Sequence, residues 1–104
     1  MSRPAIRIRQ AALEDVAAAG RYAEQQSAAV ARSFLGAVQS ALARIEQFPG
    51  IGSSRFEQLT GIVSLRFVST GRFPNLVFYL TAPQDTIDVI RVLRRRQDHL
   101  SLLL

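Results

Sequence analysis

The hydrophobic period of this chain switches once, and the switch restricts what it can build. Val30, Phe34, Val38, Ala41, Ile45 and Phe48 recur at spacings of three and four, which puts them on one core-facing stripe of a helix. From Ile62 the pattern is period two, with Val63, Leu65 and Phe67 on one face and Ser64, Arg66 and Val68 on the other, as in a half-buried strand. The segment FPGIGSS, Phe48 to Ser54, stops the helix because Pro49, Gly50 and Gly52 are poor helix formers. Arg55 to Gly61 reads as a continuing loop. Helices before the switch and strands after it point to an α+β domain of two layers.

The flanking segments extend the reading. Ala5 to Arg9 alternates and predicts a short strand at or near a sheet edge, with Ile6 and Ile8 on one face. An alanine-rich helix begins at Ala11, with Leu13, Val16, Gly20 and Ala23 on one stripe. Glu14 and Asp15 fall in its first turn, where they suit the helix dipole. A break near Gln25 and Gln26 precedes Ser27, an N-cap for the second helix. Past the switch, Ser69 to Pro74 and Ala82 to Asp85 read as turns around Asn75–Thr81 and Thr86–Leu93, two strands apolar on both faces and hence inner strands. The expected architecture is an N-terminal strand and an antiparallel two-helix hairpin packed on a sheet, which a three-stranded antiparallel meander completes. A short C-terminal tail, Leu100 to Leu104, is helical or extended. At 104 residues the chain forms one domain, residues 1–104, large enough to bury roughly 65% of its unfolded surface.

Composition then narrows the chemistry. With no cysteine, disulfides and thiolate sites are excluded. All thirteen basic residues are arginine, so a Walker A loop, a Schiff base and a lysine general base are excluded too. Arginine presents a permanently charged planar fork suited to phosphate and carboxylate, and a formal net charge of +5 favours an anionic partner. Compositional bias of the source genome explains the missing lysine equally well. No apolar run approaches the ~20 residues of a membrane span, and MSRPAIRIRQ lacks the apolar stretch of a secretory signal. The expectation is a cytoplasmic protein without membrane partner, metal or cofactor.

Candidate motifs sort mostly toward structure. Gly50 and Gly52 give G-x-G, but Arg55 stands at the third glycine position and the helix precedes the loop, so this is a helix stop. His99 is the single histidine, which rules out a multi-histidine metal site. Phe67 and Phe78 read as core rather than as a stacking platform. Arg91 interrupts an apolar strand and shares its expected face with Ile87, Val89 and Leu93; such a charge is either paired with a carboxylate or reaches an opening. In RVLRRRQDHL, Arg94, Arg95 and Arg96 follow it directly.

Taken in order, Ala12 and Asp15, the helix stop Phe48-Pro49-Gly50-Ile51-Gly52, Arg66, RFPNLVFY (Arg72 to Tyr79) and IDVIRVLRRRQD (Ile87 to Asp98) resemble the ParE branch of the ParE/RelE toxin superfamily over nearly the whole chain. The resemblance implies the toxin of a type II toxin-antitoxin module, paired with an acidic ParD-like antitoxin, and touching operator DNA only through that complex. ParE-like members are associated with poisoning DNA gyrase, whereas RelE-like members cut messenger RNA on the ribosome. RelE-like relatives carry a cation before the tyrosine of the third strand, where this chain has Asn75-Leu76-Val77-Phe78-Tyr79; many relatives carry histidine where this chain has Arg94. Those departures favour a gyrase-directed inhibitor that acts by binding and has no catalytic residues. The alternatives are a ribosome-dependent endoribonuclease using Arg66, Arg91 and Arg94 to Arg96, and a non-toxic antitoxin-binding homologue. Candidate residues for target or antitoxin binding are Arg66, Arg72, Tyr79, Arg91, Arg94, Arg95 and Arg96.

Overall fold

The computed structural model describes residues 4–82 and 86–104. Strand β1 (Ala5–Ile8) leads into helices α1 (Gln10–Gln26) and α2 (Ala28–Gln47), then a 3₁₀ turn (Pro49–Ile51) and helix α3 (Arg55–Thr60). Strands β2 (Leu65–Ser69), β3 (Asn75–Ala82) and β4 (Thr86–Arg94) and helix α4 (His99–Leu103) complete the chain. The four strands form one mixed sheet in the order β1-β4-β3-β2. β2, β3 and β4 are the antiparallel meander, and β1 lies on the edge, parallel to β4. Of the predicted turn Ala82–Asp85, positions 83–85 lie outside the described residues.

The helical hairpin forms where the sequence places it. Ser27 separates the two helices, and its side-chain oxygen accepts the Val30 N–H at 3.0 Å, an N-cap that satisfies one free donor of α2. Phe34, Val38, Ala41 and Ile45 are buried, as the stripe requires, whereas Phe48, at its end, is 59% exposed because the chain has already left the helix. In α1 the buried stripe is Ala12, Val16, Ala19 and Ala23 rather than one through Leu13, which is 48% exposed. The α1 register is therefore rotated from the predicted one. Because α1 starts at Gln10, Asp15 sits beyond its first turn and points inward instead of answering the dipole.

Both faces of the sheet are covered. Ala12, Ala41 and Ile45 of the hairpin pack on Val68, Val77, Tyr79, Ile87, Val89 and Val92. On the opposite face Leu65, Leu76, Phe78, Ile90 and Leu93 are closed over by Phe56 of α3 and by Leu102 and Leu103 of α4. The segment read as a loop from Arg55 thus contains a one-and-a-half-turn helix, which Gly61 ends in a left-handed conformation with its N–H on Glu57 O at 2.9 Å. The predicted strand start at Ile62 moves to Leu65: Ser64 has a left-handed φ of 66°, its N–H is taken by the Glu57 carboxylate, and Val63 is 78% exposed.

A bulge in β4 reorders the faces. Phe78 pairs with Arg91 while Tyr79 pairs with Val89, so Ile90 is an extra residue. Ile87, Val89 and Val92 therefore face the hairpin, and Ile90 and Leu93 face α4. This breaks the single face on which Arg91 was expected to lie with Ile87, Val89 and Leu93. β1 stops pairing at Ile8↔Val89, after which Arg9 N–H bonds Val89 O at 2.9 Å. Beyond that point Asp15 takes the place of a strand. Its Oδ2 accepts the Val92 N–H at 2.9 Å and the Arg91 Nε–H at 2.7 Å, and its Oδ1 accepts Arg91 Nη2 at 2.9 Å. Arg91 Nη1 donates onward to Leu102 O at 3.1 Å. One guanidinium thus ties α1, the open edge of β4 and α4 together.

Removing one partner of a desolvated ion pair costs up to about 3–5 kcal/mol, and an unmet buried N–H adds to the loss. With the two side chains 24% and 14% exposed, Asp15→Ala is expected to lower unfolding stability by about 3 kcal/mol. Asp15→Asn, which keeps an acceptor for Val92, should lose less. Urea midpoints at unchanged slope check the ranking, and equal losses in the two variants would show that the charge alone matters.

Candidate functional site

The seven arginine and tyrosine residues singled out in the sequence divide into two groups. Three face inward. Tyr79, on β3, is fully buried; its hydroxyl donates to Pro49 O at 2.7 Å and accepts the Gly52 N–H at 3.0 Å. Arg66, its register partner on β2, donates from Nη1 to Gly52 O at 2.8 Å and to Gly50 O at 3.3 Å. Ser53 bridges to Phe67 through two backbone bonds of 2.9 and 3.0 Å. The helix-stopping segment is thereby sewn to the sheet. Gly52 is required by close approach, since a Cβ there would lie 2.7 Å from the Tyr79 hydroxyl and 2.8 Å from Phe67 O. Burial raises the Tyr79 pKa above its ordinary value, with the Gly52 N–H and the Arg66 charge opposing the shift. At neutral pH the hydroxyl keeps its proton and donates it to Pro49.

Arg91 is the third inward residue. Its hydrogen bond with Asp15 is the main cause of a raised pKa, partly opposed by desolvation. Of the two alternatives for this charge, carboxylate pairing is the one observed. His99 is also structural in placement: it is 8% exposed, with its ring edge-on to Phe56 at 5.3 Å and to Phe78 at 5.2 Å between centroids. Its Nε2 lies 2.8 Å from Arg94 O. A carbonyl can only accept, so Nε2 carries the hydrogen.

The other four, Arg72, Arg94, Arg95 and Arg96, are exposed and gather at one end of the sheet. Arg94 ends β4 opposite Asn75, and the Arg95 N–H bonds Pro74 O at 2.8 Å, so the turn after β4 is fastened to the Ser69–Pro74 turn that carries Arg72. Beside Arg94 opens a groove of ≈ 540 Å³ between the hairpin and the sheet, lined by Ala19, Tyr22, Val30, Phe34, Phe73 and Val92 among others. The sequence reading missed Tyr22 and its place there. The signal was present, since Tyr22 is the one aromatic in α1 and is 63% exposed. Asp15, the partner of Arg91, carried no such signal, because the two are 76 positions apart.

Among the described residues no group of three or more His, Cys, Asp or Glu side chains is placed to hold a metal ion, and no helix is long and apolar enough to cross a membrane.

The Tyr79 arrangement yields two expectations. Gly52→Ala should destabilise the fold by about 1–3 kcal/mol through overpacking, and Tyr79→Phe by about 2 kcal/mol through two orphaned main-chain groups. With no lysine or cysteine in the chain, Tyr79 is the buried side chain whose ionisation an alkaline scan addresses. A raised folded pKa leaves the Tyr79 contribution whole below about pH 10 and removes it as pH rises through the folded value. Urea midpoints measured from about pH 8 to about pH 11 should fall more steeply in wild type than in Tyr79→Phe. Parallel falls would show that Tyr79 does not ionise differently on folding.

No curated protein matches the chain. Among solved structures it is similar to "Chromosomal ParDE TA system from P. aeruginosa", with 15% sequence identity and a TM-score of 0.71 over 88% of this chain and 96% of that one. At that identity the likeness speaks for the fold. Residues 6–99 match the family described as "ParE toxin of type II toxin-antitoxin system, parDE". The match runs from β1 to the start of α4 and includes Asp15, Arg66, Tyr79 and Arg91, and the chain belongs to the ParE toxin family.

Proposed function

We propose that this toxin acts by binding, poisoning DNA gyrase, and that an acidic ParD-like antitoxin neutralises it and carries it to operator DNA. The observation that supports this reading over RNA cleavage is the engagement of its proton-transfer groups. Attack by a ribose 2′-hydroxyl needs a base, a phosphate clamp and an acid for the leaving group. The Tyr79 hydroxyl is fully buried with both neighbours main-chain atoms, and His99 Nε2 is spent on Arg94 O inside an aromatic cage. Of the cations proposed for a phosphate clamp, Arg66 is bonded to Gly50 and Gly52, and Arg91 to Asp15 and Leu102. What remains outward-facing of the candidate set, Arg72 and Arg94 to Arg96, supplies cations for contact and no group that takes or gives a proton.

The antitoxin half of the proposal rests on the groove. An amphipathic segment could lay apolar side chains against Val30, Phe34 and Phe73 and present a carboxylate to Arg94 at the rim. Disordered acidic segments order on such surfaces and cover large areas.

Purified toxin is expected to abolish gyrase supercoiling of relaxed plasmid and to accumulate cleaved DNA, and equimolar antitoxin should restore supercoiling. Gyrase left untouched at molar excess of toxin, with codon-dependent cuts on translated mRNA instead, would transfer the assignment to the ribosome. Unimpaired growth on induction of soluble toxin would favour the non-toxic homologue.

A further inference from the structure

The four outward arginines come from the turn before β3 and from the end of β4 with the turn after it, and what brings them together is main-chain geometry. The Asn75↔Arg94 pairing and the 2.8 Å bond from Arg95 N–H to Pro74 O set the Arg72 turn beside Arg94, Arg95 and Arg96. All four are exposed. Among the described residues, ion pairs join Arg9 to Asp88 and Arg91 to Asp15, and none engages these four guanidinium groups. Asp98 is the carboxylate adjacent in sequence, but it caps α4, accepting the Ser101 hydroxyl at 2.8 Å and the Ser101 N–H at 3.4 Å. The start of the 20-residue helix α2 lies next to Arg72, which shares a shallow pocket with Ala29, Val30 and Ser33. The positive end of that helix dipole adds to the local field.

We infer that this end of the sheet grips the phosphate backbone of duplex DNA. Three features favour a nucleic-acid backbone over an acidic polypeptide. Three of the four, Arg72, Arg95 and Arg96, stand on turns and not along an apolar trough; the trough beside them is the groove, which Arg94 at the end of β4 lines. The turns are tied to the sheet by main-chain bonds, so the four side chains leave the backbone from fixed points. A duplex carries a fixed, closely spaced row of charges, about one per 1.7 Å of axis, that arginines so anchored can meet at several points. The place of action rests on the gyrase reading, since gyrase presents the toxin with DNA; the contact itself does not depend on it.

The test is binding of toxin alone to a fluorescent random-sequence duplex, followed by anisotropy over a range of salt. Each phosphate neutralised contributes about −0.9 to the slope of log K against log salt, so three or four contacts give a slope near −3. The combined substitution Arg72→Gln, Arg95→Gln and Arg96→Gln, which leaves Arg94, should bring that slope to about −0.9 or shallower and weaken low-salt binding at least tenfold. Arg7→Gln, an exposed arginine on β1, should leave both unchanged. Circular dichroism and urea midpoints matching wild type establish that the variants are folded. No duplex binding by wild type at low salt, a slope equal in wild type and triple variant, or tighter binding to polyglutamate than to the duplex would each overturn the inference. In a gyrase cleavage assay the triple variant should lose potency. Undiminished poisoning by a variant that no longer binds duplex would remove the contact from the mechanism. Wild-type duplex binding with the expected slope but no effect on gyrase would leave the DNA grip standing and reject the gyrase reading.

Discussion

The Asp15 carboxylate, set against the open edge of β4, is the contact on which the arrangement of layers depends. β1 has four residues and β4 nine, so more than half of the β4 edge would present unpaired main chain. An open edge of that kind is costly when buried and sticky when exposed. Asp15 accepts the Val92 N–H, and its negative charge draws the Arg91 guanidinium over the edge to reach Leu102 O on α4. A pair of this type contributes little net stability compared with apolar residues of the same volume. Its effect is geometric: with Asp15 fixed, Ala12, Val16, Ala19 and Ala23 must face the core, and the small size of the alanines lets α1 lie close to the sheet.

A second constraint works from the other side of the sheet. The extra residue Ile90 lets β4 send Val89 and Val92 toward the hairpin and Ile90 and Leu93 toward α4, so both apolar clusters are fed by one strand. Opposite the bulge, Tyr79 reaches Pro49 and Gly52. The end of α2 is thus held by the same strand pair whose register the bulge sets. The Phe-Pro-Gly-Ile-Gly stretch is more than a helix stop. Its carbonyls and one N–H are the partners that allow a tyrosine to be fully buried in the sheet beside a half-buried arginine.

The sequence made some of this legible and hid the rest for physical reasons. Strong periodicity revealed the α2 stripe through Ile45 and the two inner strands, and the lone Ser27 revealed the helix break, because each signal is local. α3 has six residues and α4 five, too short for a period to register, so the cover on the second face was invisible. The bulge was also hidden: period-two reading assumes an unbroken ladder, and one inserted residue reverses every face after it. Arg91 was recognised as a charge that needed a partner, yet the partner is 76 positions away and no local pattern could select Asp15 from eight carboxylates. The same holds for Arg72 and the Arg94–Arg96 run, whose proximity exists only once β3 and β4 pair.

That sorting of the arginines bears on how a toxin of this family can be controlled. Arg66 and Arg91 have their guanidinium groups committed to the protein's own main chain and to Asp15, so of the arginines singled out in the sequence Arg72, Arg94, Arg95 and Arg96 are the ones left to meet a partner. Arg94 belongs at once to the cationic end and to the rim of the apolar groove. Under the proposed reading, an acidic segment seated in the groove lies within a few ångströms of the surface proposed to meet DNA phosphates. Screening at physiological ionic strength acts over about 8 Å, so its carboxylates oppose the field of the neighbouring arginines even where they do not touch them. Neutralisation then needs no overlap of the two sites and no change of fold; adjacency and opposite charge suffice.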